Sequence, residues 1–209
     1  MDKQRQEAKE LVKSLSFKEK IKHFWYYYKI HTISIAFAAI LIITTTVQCM
    51  RQVKYDMNIA YYSIRYVEQQ KIDDLAEFFE TVAEDINQNG SVDVLVSFYS
   101  GDITAELLDQ YGQMGYQKLQ IEVATDEYQS YLLDKPYLDM MERLYPDVIE
   151  TVQEIGTVPE VKNTIGLLDS EELYLVTTKM FEQSKDDEEK VREHDNAVKI
   201  KEFFEEKID

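Results

Sequence analysis

This chain has little of what catalytic and disulfide-bonded proteins rely on. Its 209 residues include one cysteine, three histidines, three prolines and six glycines. The single cysteine, Cys49, excludes an intrachain disulfide. So few prolines and glycines exclude long linker-like or low-complexity stretches. No G-x-S-x-G, H-E-x-x-H or glycine-rich phosphate loop occurs. His194 is the only histidine beyond His31, and it sits in a charged stretch that reads as a solvated helix. Basic residues are scarce as well, 23 Lys and Arg against 40 Asp and Glu, for a net charge of −17.

That charge is unevenly placed. Residues 1–29 carry eight basic and four acidic side chains, and residues 30–50 carry none. Subtracting eight from 23 and four from 40 leaves 15 basic and 36 acidic residues in 51–209, a net of −21. Such a surface repels nucleic acid and anionic lipid, so no nucleic-acid partner is expected.

What is present is an uninterrupted apolar run, IHTISIAFAAILIITTTV, over residues 30–47. A helix rising ~1.5 Å per residue makes that run about as long as the ~30 Å hydrocarbon core of a bilayer. Phe24-Trp25-Tyr26-Tyr27-Tyr28 precedes it, a headgroup-level aromatic belt. The basic excess of residues 1–29 places the N-terminus in the cytoplasm by the positive-inside rule. The expected organisation is a cytoplasmic basic and aromatic helical segment over 1–29, a transmembrane helix over 30–50 and an acidic extracytoplasmic domain over 51–209. The localisation is therefore a cell membrane crossed once. A cleaved signal peptide would need a small-residue site after the run, and none follows. A lipoprotein would need a small residue before Cys49, where Gln48 stands. Cys49 reads as a thiol at the membrane edge, or as an intermolecular disulfide in a homo-oligomer.

Before the span, residues 2–14 read as a charged helix. Ser16 and Glu19 fit a capping box for a second helix, Phe17–Tyr28, expected to lie along the inner leaflet. Thr44, Thr45 and Thr46 are polar within the span and can bond back to the helix's own carbonyls.

Residues 51–209 alternate strand and helix, which argues for one α/β sandwich domain with a mostly parallel sheet. Strands are expected over 53–62, 92–99, 129–133 and 172–179. Residues 67–87 repeat Ile72, Leu75, Ala76, Phe79, Val82, Ala83 and Ile86 at helical spacing. A helical stretch from Ile103 to Thr125 is weakened by Gly112 and Gly115, which leaves open one helix or two with a bend. A short helix covers 137–145, residues 147–170 read as irregular with weak helical pieces, and a charged helix covers 186–207.

The segments FKEKIKHFWYYYKIH, EDINQNGSVDVLV, SYLLDKPYL and LYLVTTKMF, with the acidic helix after them, carry a resemblance. Their arrangement resembles a group of single-pass membrane proteins of Firmicutes-type bacteria. The outer domain of that group looks like a shortened lobe of an ABC-type extracellular solute-binding protein. The resemblance implies this fold and location.

Three site readings follow from the residues. Asp85, Asn87, Asn89 and Asp93, with Gly90 between, match the start of an EF-hand loop, though its last ligand position holds Val96. Calcium at low affinity is the one cofactor this admits, and a left-handed Asn-Gly turn explains the same residues. A ligand pocket belongs beyond the carboxyl ends of parallel strands, where the candidates are Arg65, Tyr66, Asp102 and Asp134. Asp102 also fits a helix N-cap before Ile103. The many tyrosines suit a protein interface. The leading expectation is a non-enzymatic, membrane-anchored interaction module, an accessory or subunit of a membrane transporter or envelope complex. The alternative is a lobe that senses a solute or calcium.

Overall fold

The computed structural model describes residues 16–50, 54–105 and 107–208, without the side chains of 20, 23, 27 and 47–50. The chain divides into two compact units, residues 1–53 and 54–209.

The described part of the first unit forms one helix, α1 (Phe17–Met50), of 34 residues. The two helices expected there are thus continuous. No proline or glycine interrupts Phe17–Met50, so the backbone bonds propagate without a break. The Ser16 amide donates to the Glu19 carboxylate at 2.9 Å, one half of the expected capping box. Tyr28–Thr46 is long and apolar enough to cross a membrane. Thr44 and Thr45 donate their hydroxyls to the Leu41 carbonyl, and Thr46 donates to that of Ile42. The helix therefore satisfies these hydroxyls internally, as a hydrocarbon surrounding demands. The expected helix over 2–14 and the Cys49 thiol lie outside the described residues.

The second unit is a three-layer α/β domain. Its strands are β1 (Met57–Ser63), β2 (Val94–Ser100), β3 (Ser130–Asp134), β4 (Ile149–Glu154) and β5 (Leu173–Thr178). They form one sheet in the order β2-β1-β3-β5-β4. β1 pairs parallel with β2 and with β3, while β5 runs antiparallel to β3 and β4. The sheet is thus mixed, parallel across β2, β1 and β3, with β5 the reversed strand.

The described residues of this unit form five α-helices, α2 (Gln69–Glu80), α3 (Gln110–Ala124), α4 (Lys135–Leu144), α5 (Pro159–Ile165) and α6 (Glu188–Ile208). Period-2 alternation in β1 explains how they divide. Met57, Ile59 and Tyr61 point to one core, shared with Ile72, Leu75 and Phe79 of α2, Val161 and Ile165 of α5, and Ile200 and Phe204 of α6. Ala60 and Tyr62 point to the other, shared with Leu119 and Val123 of α3 and Leu138 and Met141 of α4. Each large aliphatic side chain so buried contributes roughly 1.5–3 kcal/mol.

The structure corrects three element assignments. α2 stops at Glu80, and Val82, Ala83 and Ile86 follow in a loop rather than on the helix. Asp56, fully buried at the start of β1, takes the Ile86 and Asn87 amides at 2.9 Å each, and this pulls the chain out of helical register. α3 begins at Gln110 rather than Ile103, because Asp109 is its N-cap and accepts from the Gly112 amide at 2.7 Å. Gly112 and Gly115 allow close packing and do not bend the helix. A Cβ on Gly112 would lie 2.3 Å from the Asp102 carbonyl oxygen, and one on Gly115 would lie 2.3 Å from the Tyr137 hydroxyl. Finally, residues 147–170 contain a strand, β4, where none was expected, and one ordered helix, α5, among the weak helical pieces.

Candidate functional site

The chain leaves β1 through Ser63-Ile64-Arg65 toward α2 on one face of the sheet. It leaves β3 through Asp134-Lys135-Pro136 into α4 on the other. Adjacent parallel strands whose connections depart to opposite faces form a topological switch point, and a crevice opens beyond their carboxyl ends. A cavity of about 600 Å³ occupies that position. Tyr61, Ser63, Ile64 and Arg65 line it from β1 and its loop, and Asp134, Lys135 and Pro136 from β3 and α4. Leu167 and the segment Ser170-Glu171-Glu172-Leu173, which enters β5, close it.

Asp134 joins the two loops. One carboxylate oxygen accepts the Ile64 amide at 2.6 Å, and the other accepts the Tyr137 amide at 3.3 Å, which makes Asp134 the N-cap of α4. Burial raises its carboxyl above the usual aspartate range, against the lowering effect of those two amides. Arg65 forms a wall. Its Nη1 and Nη2 donate to the carbonyls of Gly166 and Ile165, at 3.2 and 3.4 Å, and its Nε sits 3.3 Å from Glu171. These carbonyls end α5, where Gly166 takes the left-handed conformation at φ 66°, so the guanidinium stabilises a helix C-terminus. Lys135 pairs with Asp139 at 2.7 Å and lies 5.7 Å from the Tyr174 ring centroid. Burial pushes the Tyr61 hydroxyl upward, so it remains a neutral donor.

Of the four candidate ligand residues, the structure brings Arg65 and Asp134 together and leaves two aside. Tyr66 is 70% exposed and meets the edge of the Phe98 ring at 6.5 Å. Asp102 accepts the Thr104 amide and hydroxyl at 2.8 and 2.6 Å; it closes a turn and caps no helix. Leu167, Glu171 and Leu173 complete the crevice; Leu167 comes from the stretch read as irregular, Glu171 from just after it, and Leu173 from the start of the expected last strand. Gly166 behind Val161 and Ile165 was the available signal, since glycine after an apolar helical pair marks a C-terminus.

In the loop 85–93 the oxygens of the calcium candidates accept hydrogen bonds from within the loop. The Asp85 carboxylate takes the Asn89 and Gly90 amides at 3.1 and 2.9 Å. Asn87 accepts from the Asn89 amide at 3.0 Å, Asn89 from the Ser91 amide at 2.8 Å, and Asp93 from the Ser91 hydroxyl at 2.8 Å. This is a chain of Asx turns. Among the described residues, no three His, Cys, Asp or Glu side chains converge as a metal cage.

A second concavity, about 510 Å³, lies between β2 and α3. β2 is an edge of the sheet. Phe98 and Tyr99 form its floor, and Tyr111, Met114 and Ile121 of α3 stand 68%, 59% and 62% exposed along it. Beneath lies a buried charge. Glu122 accepts the Tyr62 hydroxyl at 2.5 Å and pairs with Lys118 at 2.8 Å, while Lys118 lies 4.6 Å from the Tyr99 ring centroid. Burial and the Glu122 bond hold the Tyr62 hydroxyl far above its usual range, and Glu122 likewise raises Lys118.

No protein-family model, curated protein or solved structure matches this chain. Its class is defined by its own geometry: an α/β domain on one mixed five-stranded sheet with a switch-point crevice, in a chain that also carries one membrane-length apolar helix.

Proposed function

We propose that this chain is a membrane-anchored binding protein whose α/β domain takes up a small molecule in the switch-point crevice. The observation that carries this reading is the cavity of about 600 Å³ at the carboxyl ends of β1 and β3. It has the size of an ordinary ligand site, about 300–1,000 Å³, at the place where open α/β sheets bind ligands. The basic excess of residues 1–29 and the apolar helix support a cytoplasmic N-terminus and an extracytoplasmic domain. The described side chains lining the crevice include neither histidine nor cysteine, which favours binding over catalysis.

The test is a fragment library screened by thermal shift on the full-length protein in mild detergent. At ten times its Kd a ligand adds about 1.4 kcal/mol, or about 3–5 °C for a unit of this size. Ser170→Trp, at an exposed position on the crevice rim, will abolish such shifts. Shifts that survive this plug, or no shift across the library, would refute the reading.

A second reading, docking to another membrane component such as a transporter or envelope complex, rests on the β2 edge and the apolar face beside it. Open strand edges with exposed apolar neighbours are typical places for partner association. The double variant Met114→Lys, Ile121→Lys is expected to lose a stoichiometric partner from carbonate-washed membranes while its melting temperature stays within about 2 °C of the parent, as surface substitutions do. A partner retained by that variant does not dock on this face.

A further inference from the structure

Resting on the crevice reading, we infer that the crevice selects an organic cation, a short-chain amine whose ammonium group meets Asp134 while its carbons lie against Ile64, Leu167 and Leu173. The charges on the lining carry this. Two cations and three carboxylates face the cavity, and both cations are already engaged. Arg65 is held by Glu171 and two carbonyls of the α5 terminus. Lys135 is held by Asp139. Asp134 accepts two backbone amides and the Ser63 hydroxyl and has, among the described residues, no ion-pair partner. Glu172, at the rim, accepts the Tyr174 hydroxyl at 2.6 Å and adds a further negative charge that, among the described residues, makes no direct ion pair.

An anion entering here meets this excess, while Arg65 is already bound by Glu171. An ammonium neutralises a half-buried carboxylate whose ionised form both desolvation and the field of Glu171 disfavour. The aliphatic walls add favourable contact for a chain of methylenes.

The experiment is isothermal titration of the full-length protein in mild detergent with three probes of equal length: 1,5-diaminopentane, pentane-1,5-diol and glutarate. The expected result is binding of the diamine alone, weakened about tenfold or more by Asp134→Asn, as loss of a charge-assisted bond implies, and abolished by Ser170→Trp. Asparagine keeps an acceptor for the α4 cap. Should Asp134→Asn not fold, Glu172→Gln at its exposed position gives the second measurement, and diamine affinity unchanged there would overturn the inference. Diamine affinity unchanged by Asp134→Asn overturns it as well. Binding of glutarate or the diol that Ser170→Trp removes also overturns the cation and leaves the crevice reading standing. Should none of the three bind, the cation inference fails, and the fragment screen decides separately whether the crevice binds anything.

Discussion

Asp56→Ala is expected to lower the stability of the 54–209 unit by about 3–5 kcal/mol, the range for stripping a buried charge network of one partner. Asp56 is fully buried, and its carboxylate accepts three backbone amides: Ile86 and Asn87 at 2.9 Å each and Asp93 at 3.0 Å. These bonds hold the segment between α2 and β2 against the start of β1. The backbone of Asp56 extends the same knot. Its amide donates to the Asp93 carbonyl at 2.8 Å, and its carbonyl accepts the Asn196 side chain of α6 at 3.2 Å. Asn196 in turn takes the Glu84 amide at 3.1 Å and donates to the Glu84 carbonyl at 3.1 Å. Alanine leaves three amides without an acceptor and a small void in the core. Most single domains are stable by only about 5–15 kcal/mol, so the urea midpoint will fall steeply, with a melting temperature roughly 10 °C lower. Asp56→Asn will lie between, since its amide keeps one acceptor but turns a donor toward an N–H. A loss below about 1 kcal/mol in Asp56→Ala, the worth of one ordinary hydrogen bond, would show that the loop is held by something else.

Asp56 also marks a limit of what can be read from the chain. β1, β2, β3, β5 and α6 are legible because their apolar residues repeat at one period and their ends carry ordinary turn chemistry. The stop of α2 at Glu80 is not. Val82, Ala83 and Ile86 continue the helical spacing, and the partner that overrides it sits 30 residues away in sequence. β4 is illegible for a different reason. In Ile149–Glu154 the half-buried positions are Ile149, Thr151 and Gln153, while Val152 is exposed. The binary pattern of this edge strand is close to inverted, and the Gln153 side chain lies beside Lys201 and Glu205 of α6, where its amide in the flipped orientation donates to the Lys201 carbonyl and accepts the Glu205 amide. The direction of β5 could not be read either, because the chain between β4 and β5 contains a helix, as a parallel crossover would. The crevice was legible by rule, as the carboxyl ends of parallel strands, and that placed Arg65 and Asp134. Tyr66 and Asp102 do not line that cavity, because the rule fixes a sheet edge but not which loop side chains turn into the gap.

The largest pH effect is expected at Glu193. This residue is 7% exposed, on the face of α6 that packs on β1. There the Asn58 side-chain amide donates to its carboxylate. Burial pushes the carboxyl from 4.5 up to about 7; the Asn58 bond opposes this, Glu189 and Asp187 add to it, and Lys190 offsets part. The folded state therefore holds a proton that the unfolded chain releases between about pH 4.5 and 7. Stability from this group is fully present below that window and is lost as pH rises through it. A displacement of that size corresponds to roughly 3 kcal/mol. Asp134 shifts in the same direction, and the −21 net charge of residues 51–209 repels itself more strongly as its carboxylates ionise. Urea unfolding of residues 54–209, followed by circular dichroism, should thus show higher stability at pH 5 than at pH 8. Glu193→Gln keeps an acceptor for Asn58 and cannot ionise. It will raise stability at pH 8 by up to about 3 kcal/mol, change it little at pH 5, and flatten the profile. A parent protein more stable at pH 8, or a glutamine variant with the parent's slope, would mean that Glu193 is ionised in the folded domain and that α6 tolerates the charge.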